Sequence, residues 1–295
     1  MTQTFAAPAS RRELDLAPHT LYPDDVSALR LPGPRGSYAV RKTLQAHPGR
    51  SVWLPETLEY ALVSPWRNRP EIAHLEEVVA TRNASALIRA AFERCAAHGD
   101  ELLIAIELEA ERGPSRFQRA GLEPLEDVIT YELDTIRAFP AVSRELSVMR
   151  VTPSDRRAID SLIQVDHAAF PWLWRNSRNE FEVYLRTPGV DVLLIAVQGV
   201  PIAYTGSTMF AGWGHLDRIA VAPEQQGQGR GRDALVLAIA AMRRQGAARI
   251  ALSTQRTNLR SQRLYERCGF QRTPELDYRL FGAWCQPGRR VGASR

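Results

Sequence analysis

Residues 74–80, His-Leu-Glu-Glu-Val-Val-Ala, match residues 215–221, His-Leu-Asp-Arg-Ile-Ala-Val, at an offset of 141. Further along, Phe117-Gln-Arg-Ala-Gly-Leu122 matches Tyr265-Glu-Arg-Cys-Gly-Phe270 at an offset of 148. Between them, Ala86-Leu87 already matches Ala234-Leu235 at the larger offset. A chain that repeats itself in this order is expected to build one architecture twice. The second copy gains seven residues at one place, between a strand and the helix that follows it. A chance likeness would instead leave residues 40–140 as an unrelated α/β domain.

The inserted stretch is Pro223-Glu-Gln-Gln-Gly-Gln-Gly-Arg-Gly231, after the apolar strand Leu216–Val221 and before a long apolar helix. The first copy has only Thr81-Arg-Asn-Ala there, and no glycine occurs between Gly49 and Gly99. Glycines let the backbone turn tightly and approach a ligand closely. The unbonded N–H groups of the first helical turn then face an anion, and the helix dipole favours negative charge there. The second copy therefore reads as a pyrophosphate cradle and the first as a copy without one. No Gly-Lys-Ser/Thr follows, so this is not the phosphate loop of nucleotide hydrolases. The Gly-x-Gly-x-Gly spacing and the lack of a downstream acid in a parallel βαβ unit also argue against a dinucleotide fingerprint.

The pattern predicts a loosely ordered lead-in over 1–36, with one short helix near Pro23–Leu29, and then a globular unit. Its elements are strands Arg50–Val63 and Glu71–Ala80, helix Ala84–Ala97, strand Glu101–Glu107, short helix Pro114–Ala120 and strand Asp127–Leu133. Phe139–Ser143 reads as a linker. The second unit opens with strand Leu146–Val151 and helix Pro153–Ala169, capped by Thr152. Helix Ser177–Arg186 follows, then strands Val192–Gln198 and Pro201–Phe210 joined at Gly199-Val200, and strand Gly214–Val221. Helix Gly229–Gln245 carries Leu235, Ile239 and Met242 on one face. Strand Arg249–Thr254, helix Leu259–Cys268 and closing strands over Gln271–Phe281 complete it.

The order Gln226-x-x-Gly229-x-Gly231, helix, strand, Asn258, then Tyr265-Glu-Arg-Cys-Gly269-Phe270 resembles the GNAT family of N-acetyltransferases. The resemblance covers roughly residues 146–284. It implies an α/β chain of two GNAT-like units, each a mixed, mostly antiparallel twisted sheet flanked by helices. The expected division is a lead-in segment 1–36, a degenerate GNAT-like domain 37–143 and a catalytic GNAT domain 144–295. Acetyl-CoA is the implied co-substrate. The backbone of Ile219, Ala220 and Val221 would hold its pantetheine arm between two splayed strands and polarise the thioester carbonyl. Gln226, Gly227, Gln228, Gly229, Arg230 and Gly231 would bind the pyrophosphate, with charge from Arg230 and Arg232 unless these only solvate the helix start. Asn258 would bond the arm or cap its helix. Tyr265 would protonate the departing thiolate, where the first copy carries Phe117; otherwise it is a core aromatic.

A general base is harder to place. Some relatives use a Glu at the position that is about Ser253 here, which cannot do the task. Asp217 is the best remaining carboxylate, acting directly or through water, unless it is solvated or paired with arginine. Ala168-Ala-Phe-Pro-Trp172 is similar to a segment of bacterial ribosomal-protein N-terminal acetyltransferases, so Phe170, Trp172 and Trp174 either line an acceptor pocket or pack in the core. The implied activity is acetyl transfer to a primary amine of a small molecule or a protein N-terminus. Two alternatives stay open: a non-catalytic acetyl-CoA-binding regulatory module, and a mycothiol-synthase-like acetylation of a cysteinyl-sugar amine.

The net charge is +5, and Lys42 is the only lysine. The arginines form no block interleaved with aromatics, so no nucleic-acid partner is expected. No run of about 18 apolar residues and no secretory leader is legible, so neither a membrane span nor export is expected. Cys95, Cys268 and Cys285 lack the spacing of a disulfide framework or a metal site, which fits a reducing cytoplasm and no metal. A monomer or a homodimer is expected.

Overall fold

The computed structural model describes residues 16–31, 36–108, 115–134 and 141–286. The parts of the lead-in at 1–15 and 32–35, Pro114, and Phe139 and Pro140 of the expected linker lie outside them. Within the described residues the chain runs β1 (His19–Thr20), α1 (Ser37–Ala46), β2 (Val52–Leu54), β3 (Glu59–Pro65), β4 (Ile72–Val79), α2 (Ala84–Ala97), β5 (Leu102–Leu108), α3 (Arg116–Arg119) and β6 (Glu123–Leu133). It continues β7 (Leu146–Arg150), α4 (Arg156–Ala169), α5 (Arg178–Arg186), β8 (Val190–Val197), β9 (Val200–Phe210), β10 (Trp213–Val221), α6 (Arg230–Arg244), β11 (Arg249–Gln255), α7 (Leu259–Arg267), β12 (Gln271–Arg272) and β13 (Tyr278–Trp284).

The strands form one mixed, mostly antiparallel sheet in the order β1-β2-β3-β4-β5-β13-β6-β11-β10-β9-β8-β7, with β12 on β6. The same run of pairings occurs on both sides of its centre. β2, β3 and β4 are antiparallel neighbours and β4 is parallel to β5. β8, β9 and β10 are antiparallel neighbours and β10 is parallel to β11. Even the irregularities coincide: Glu76 is the extra residue of a bulge on β4 and Asp217 of one on β10, again 141 residues apart. This mixed α/β architecture is the one the sequence implied.

The strand that follows each run in the sheet comes from the other half of the chain. β6 pairs with β11, and β13 lies between β5 and β6. Each core is correspondingly completed from afar. Phe281 of β13 packs 5.8 Å from Phe117, while Ile129, Tyr131 and Leu133 of β6 pack with Leu235, Ile239 and Met242 of α6.

Several local expectations shift. The single strand expected over Arg50–Val63 is a hairpin, β2–β3, whose turn ends at Leu58 with φ 59°. α1 had too faint a signal: only Val40 and Leu44 are buried in it. α4 is capped by Asp155, whose carboxylate accepts from the Ala158 amide at 2.9 Å, rather than by Thr152. The β8–β9 turn uses Gln198 and Gly199, both with positive φ (48° and 79°), one residue earlier than Gly199-Val200. A two-residue hairpin with that pair of dihedrals follows the strands' right-handed twist.

The short turn before α2 is closed by the chain's own carboxylate. Buried Glu59 accepts from the Thr81 amide (2.5 Å), the Arg82 amide (3.0 Å), Asn83 Nδ2 (2.5 Å) and Thr57 Oγ1 (3.2 Å). Burial alone would push this carboxyl up, but the hydrogen bonds from Asn83, Arg82 and Thr81 outweigh it and hold it below the ordinary 4.5. Glu59→Ala is expected to cost about 1–3 kcal/mol in denaturant unfolding at neutral pH, because those donors lose their acceptor. A carboxyl with a depressed folded value stabilises fully above its unfolded value, and that contribution fades as pH falls below about 4.5. The gap between wild type and variant should therefore narrow in acid.

Candidate active site

β10 and β11 run parallel and in register from Trp213↔Arg249 to Leu216↔Leu252, and the pairing stops there. β10 stays bonded to β9 through Val221↔Ala203, and β11 to β6 through Gln255↔Val128. The facing edges beyond Leu216 and Leu252 are therefore open, and backbone donors and acceptors there have no partner strand. A cavity of about 310 Å³ lies at this fork, lined by Ile219, Ser253, Thr254, Gln255, Asn258 and Tyr265 among others. Ala220 and Val221 continue the open strand and are buried on opposite faces of it, in two different apolar clusters.

Past the fork, β10 enters the glycine turn. Gly227 (φ 86°) and Gly229 (φ 81°) take the left-handed conformation, and Gly229 caps α6. A Cβ at Gly229 would meet nothing within 4 Å, so this turn is open. Among the described residues no carbonyl accepts from the amides of Gly227, Gln228, Gly229, Arg230 or Gly231. Gln226 braces the turn: its Nε2 donates to the Val221 carbonyl at 2.9 Å and its Oε1 accepts from Arg260 Nη1 at 2.6 Å. The Gln228 side-chain Nε2 donates to the Glu224 carbonyl at 3.1 Å, leaving its backbone N–H open. The Arg230 guanidinium is paired with Glu145 through Nη2 and Arg232 with Asp233; at Arg230 the backbone N–H and the buried Nε are without partners among the described residues. Arg260, which the sequence did not single out, lies 3.7 Å from where a Gly227 Cβ would sit.

α7 brings two expected residues to the same cavity. Asn258 caps the helix, its Oδ1 accepting from the Ser261 amide at 3.2 Å. Tyr265 is 3% exposed, with Tyr131 and Phe270 ring centroids each 6.0 Å away. Burial pushes its phenol up to about 12, eased by Ser261, so it keeps its proton at neutral pH.

Asp217 sits at the β10 bulge with three donors on its carboxylate. Oδ2 accepts from Tyr184 and from Thr208 Oγ1 (2.6 Å), and Oδ1 lies 2.6 Å from His215 Nδ1. His215, half exposed and lining the cavity, thus has its Nδ1 fixed and its Nε2 left for other work. Tyr184 reaches Asp217 only because residue 206 is glycine: a Cβ there would lie 2.9 Å from the Tyr184 ring. Burial and then Asp217 push the Tyr184 phenol far up, so it stays a donor.

Behind β10, Arg218 forms a buried ion pair with Asp166 and also donates to Tyr204 Oη (3.1 Å) and the Trp174 carbonyl (2.9 Å). Its guanidinium lies 3.9 Å from the Phe170 ring centroid. This pair pins the segment after α4 against the cavity. Phe170 and Trp174 line it; Trp172 does not, since it stacks on Trp284 at 5.6 Å with Arg69 over its face. The turn Trp66–Asn68 docks on the same segment. Trp66 Nε1 donates to the Leu173 carbonyl (2.8 Å) and Asn68 Nδ2 to Glu180 (2.5 Å). Arg67, Tyr184, Arg218 and Tyr278 join the cavity without a motif to mark them, and so does His215. His215 alone had a signal: it lies two residues before Asp217 on one strand, hence on the same face.

The profile of the Acetyltransferase (GNAT) family matches residues 158–270, so this segment carries a GNAT acetyltransferase domain. A search of curated proteins gave no match. Among solved structures, a GCN5-related N-acetyltransferase from Sphaerobacter thermophilus is 16% identical with a TM-score of 0.63, over 93% of this chain and 97% of that one. A tandem GNAT protein from the clavulanic acid biosynthesis pathway is 14% identical with a TM-score of 0.60, over 93% and 100%. A GCN5-related N-acetyltransferase from Kribbella flavida is 19% identical with a TM-score of 0.51, over 80% and 90%. At these identities the likeness is one of fold, and it spans nearly the whole chain. Among the described residues no helix is long and apolar enough to cross a membrane.

Proposed function

We propose that this chain transfers the acetyl group of acetyl-CoA to a primary amine of a small molecule or a protein N-terminus. The observation that carries the reading is the open fork between β10 and β11 running into a turn of unbonded amides, with the Tyr265 phenol on the same cavity. These residues fit the coenzyme: two left-handed glycines open an anion cradle, and two unpaired strand edges can take an extended amide-bearing arm. When bound, the coenzyme supplies an acetyl group activated as a thioester.

The amides of Gly227, Gln228, Gly229, Arg230 and Gly231 bind the pyrophosphate, while Gln226, whose own amide is bonded to the Pro223 carbonyl, braces their turn and Arg260 adds charge. The backbone of Ile219, Ala220 and Val221 and the Asn258 side chain hold the arm. His215 Nε2 takes the proton of the incoming ammonium, and Asp217 fixes the imidazole tautomer through Nδ1. Tyr265 Oη gives a proton to the leaving thiolate. Asp217 is thus assigned a positioning role instead of acting as the base itself.

The stretch 37–143 is read as a degenerate copy without coenzyme: it lacks the glycine insertion, Glu59 already fills the start of α2, and Phe117 stands where Tyr265 does. The interleaving of β6 and β13 makes 37–143 and 144–295 units of sequence that fold together. Free Cys95, Cys268 and Cys285 fit a cytoplasmic setting, as a monomer or homodimer.

Thiol release from acetyl-CoA against a panel of amines and peptides tests the reading. Tyr265→Phe should lower kcat about 10- to 100-fold while the acetyl-CoA dissociation constant stays within a few-fold. Equal turnover in the variant would remove Tyr265 from the chemistry. Coenzyme binding with no thiol released by any amine would leave a binding module.

A further inference from the structure

Among the described residues, Arg67 is the arginine of the cavity wall with guanidinium nitrogens left unpaired. It projects from the Trp66–Asn68 turn, about 150 residues upstream of the β10 site in sequence. Nη1 donates to Asn176 Oδ1 at 2.8 Å. Nε is buried without an acceptor, and among the described residues neither Nε nor Nη2 has a hydrogen-bond partner and Arg67 makes no ion pair. The Trp66 and Trp174 rings flank the guanidinium, with centroids 4.9 and 5.2 Å from Cζ.

That arrangement is costly in isolation. A desolvated guanidinium with two open donors lacks the compensation that buried charges ordinarily have. Burial, and then Arg218, pull Arg67 down to about 10, which still leaves it charged at neutral pH. The backbone is strained as well: Arg67 and Asn68 both take the left-handed conformation (φ 53° and 51°), and Ser177 Oγ holds the Arg67 carbonyl at 3.0 Å. Strain and unmet polar groups of this kind concentrate where a ligand completes the site. Nη2, unpaired and not sealed off as Nε is, is the donor left to meet a carboxylate in a charge-assisted hydrogen bond.

We infer that Arg67 forms a carboxylate subsite for the acceptor, so that the amine acetylated by this chain is a small amino acid rather than a peptide or a neutral amine. The inference rests on the acetyltransferase reading for the word acceptor, but the subsite itself does not need the coenzyme. The acid end of the acceptor meets Arg67, contributed by the stretch before residue 143. The amine end lies toward His215 and Asp217 on β10, in the same cavity of about 310 Å³. That volume suits a small molecule. The upstream copy would then be kept for substrate selection after losing its coenzyme site.

The test uses the full chain and matched probes: α-, β- and γ-amino acids, their carboxamides, their decarboxylated amines, and short peptides with amidated C-termini. Binding is measured by calorimetry without coenzyme, and turnover by thiol release. The expected result is that at least one acid binds about 30-fold or more tightly than its own carboxamide, a charge-assisted, partly buried pair being lost in the amide. In Arg67→Leu that acid-to-amide ratio should fall by about the same factor, and Arg67→Lys should restore part of it. Near-equal binding of every acid and its amide, amidated peptides preferred over free acids, or an equal loss on acid and amide in Arg67→Leu would each overturn the subsite. Acid-selective binding without acetyl-CoA uptake would sink the acetyltransferase reading alone.

Discussion

His215→Gln is expected to lower kcat for thiol release by about 10²- to 10⁴-fold, the range that general base catalysis ordinarily supplies. Glutamine keeps a similar volume and a hydrogen bond toward Asp217, so acetyl-CoA binding and the unfolding midpoint should change little. What disappears is the nitrogen able to take the ammonium proton. Asp217→Asn should act through the same path. An amide at residue 217 no longer holds the imidazole in one tautomer, and both the Tyr184 and Thr208 hydroxyls must find a new arrangement around it. Its loss in kcat should approach that of His215→Gln, and the double variant should be no worse than the more severe single one, because residues of one unit do not add. A wild-type rate in His215→Gln with a large loss in Asp217→Asn would return the base to the aspartate.

The sequence marks the parts of this site that depend on backbone. The Gly-x-Gly-x-Gly turn, the strands on either side and the Asn258–Tyr265 spacing are all local signals, and the structure brings Ile219, Asn258 and Tyr265 to one cavity. The offset repeat is visible in the sequence and recurs in the structure as two like runs of strand pairing, with bulges at Glu76 and Asp217. The remainder depends on long-range contacts that carry no periodicity. That β6 crosses to β11 and β13 to β5 is not written in any window of the chain, since each strand reads the same whichever neighbour it joins. Arg67 and Tyr184 reach the site through a docked turn and a helix face, and Arg230 is drawn off by Glu145, which is 85 residues away. Adjacency groups Trp172 with Phe170 and Trp174, but the short helical turn at Trp172–Trp174 sends it away from the cavity to stack on Trp284.

The second large effect concerns the turn itself. Gly229→Val should weaken acetyl-CoA binding by about 100-fold or more. Gly229 has φ 81° and ψ −7°, which a β-branched side chain reaches only with strain, and any relaxation turns the neighbouring amides away from the anion. Two effects of about 1–2 kcal/mol each, strain and lost amide contacts, compound to that factor. The first copy provides the internal control. Its equivalent turn holds Glu59, so Glu59→Ala should lower stability without adding a second equivalent of coenzyme or weakening the first.

Calorimetric titration of acetyl-CoA into the folded full-length chain, its Gly229→Val variant and its Glu59→Ala variant puts the coenzyme's seat to direct trial. One equivalent taken up by wild type and by Glu59→Ala, with affinity collapsing in Gly229→Val, is the result expected of a pyrophosphate held on the amides after β10. No heat of binding in wild type, or the same affinity in Gly229→Val, would contradict it.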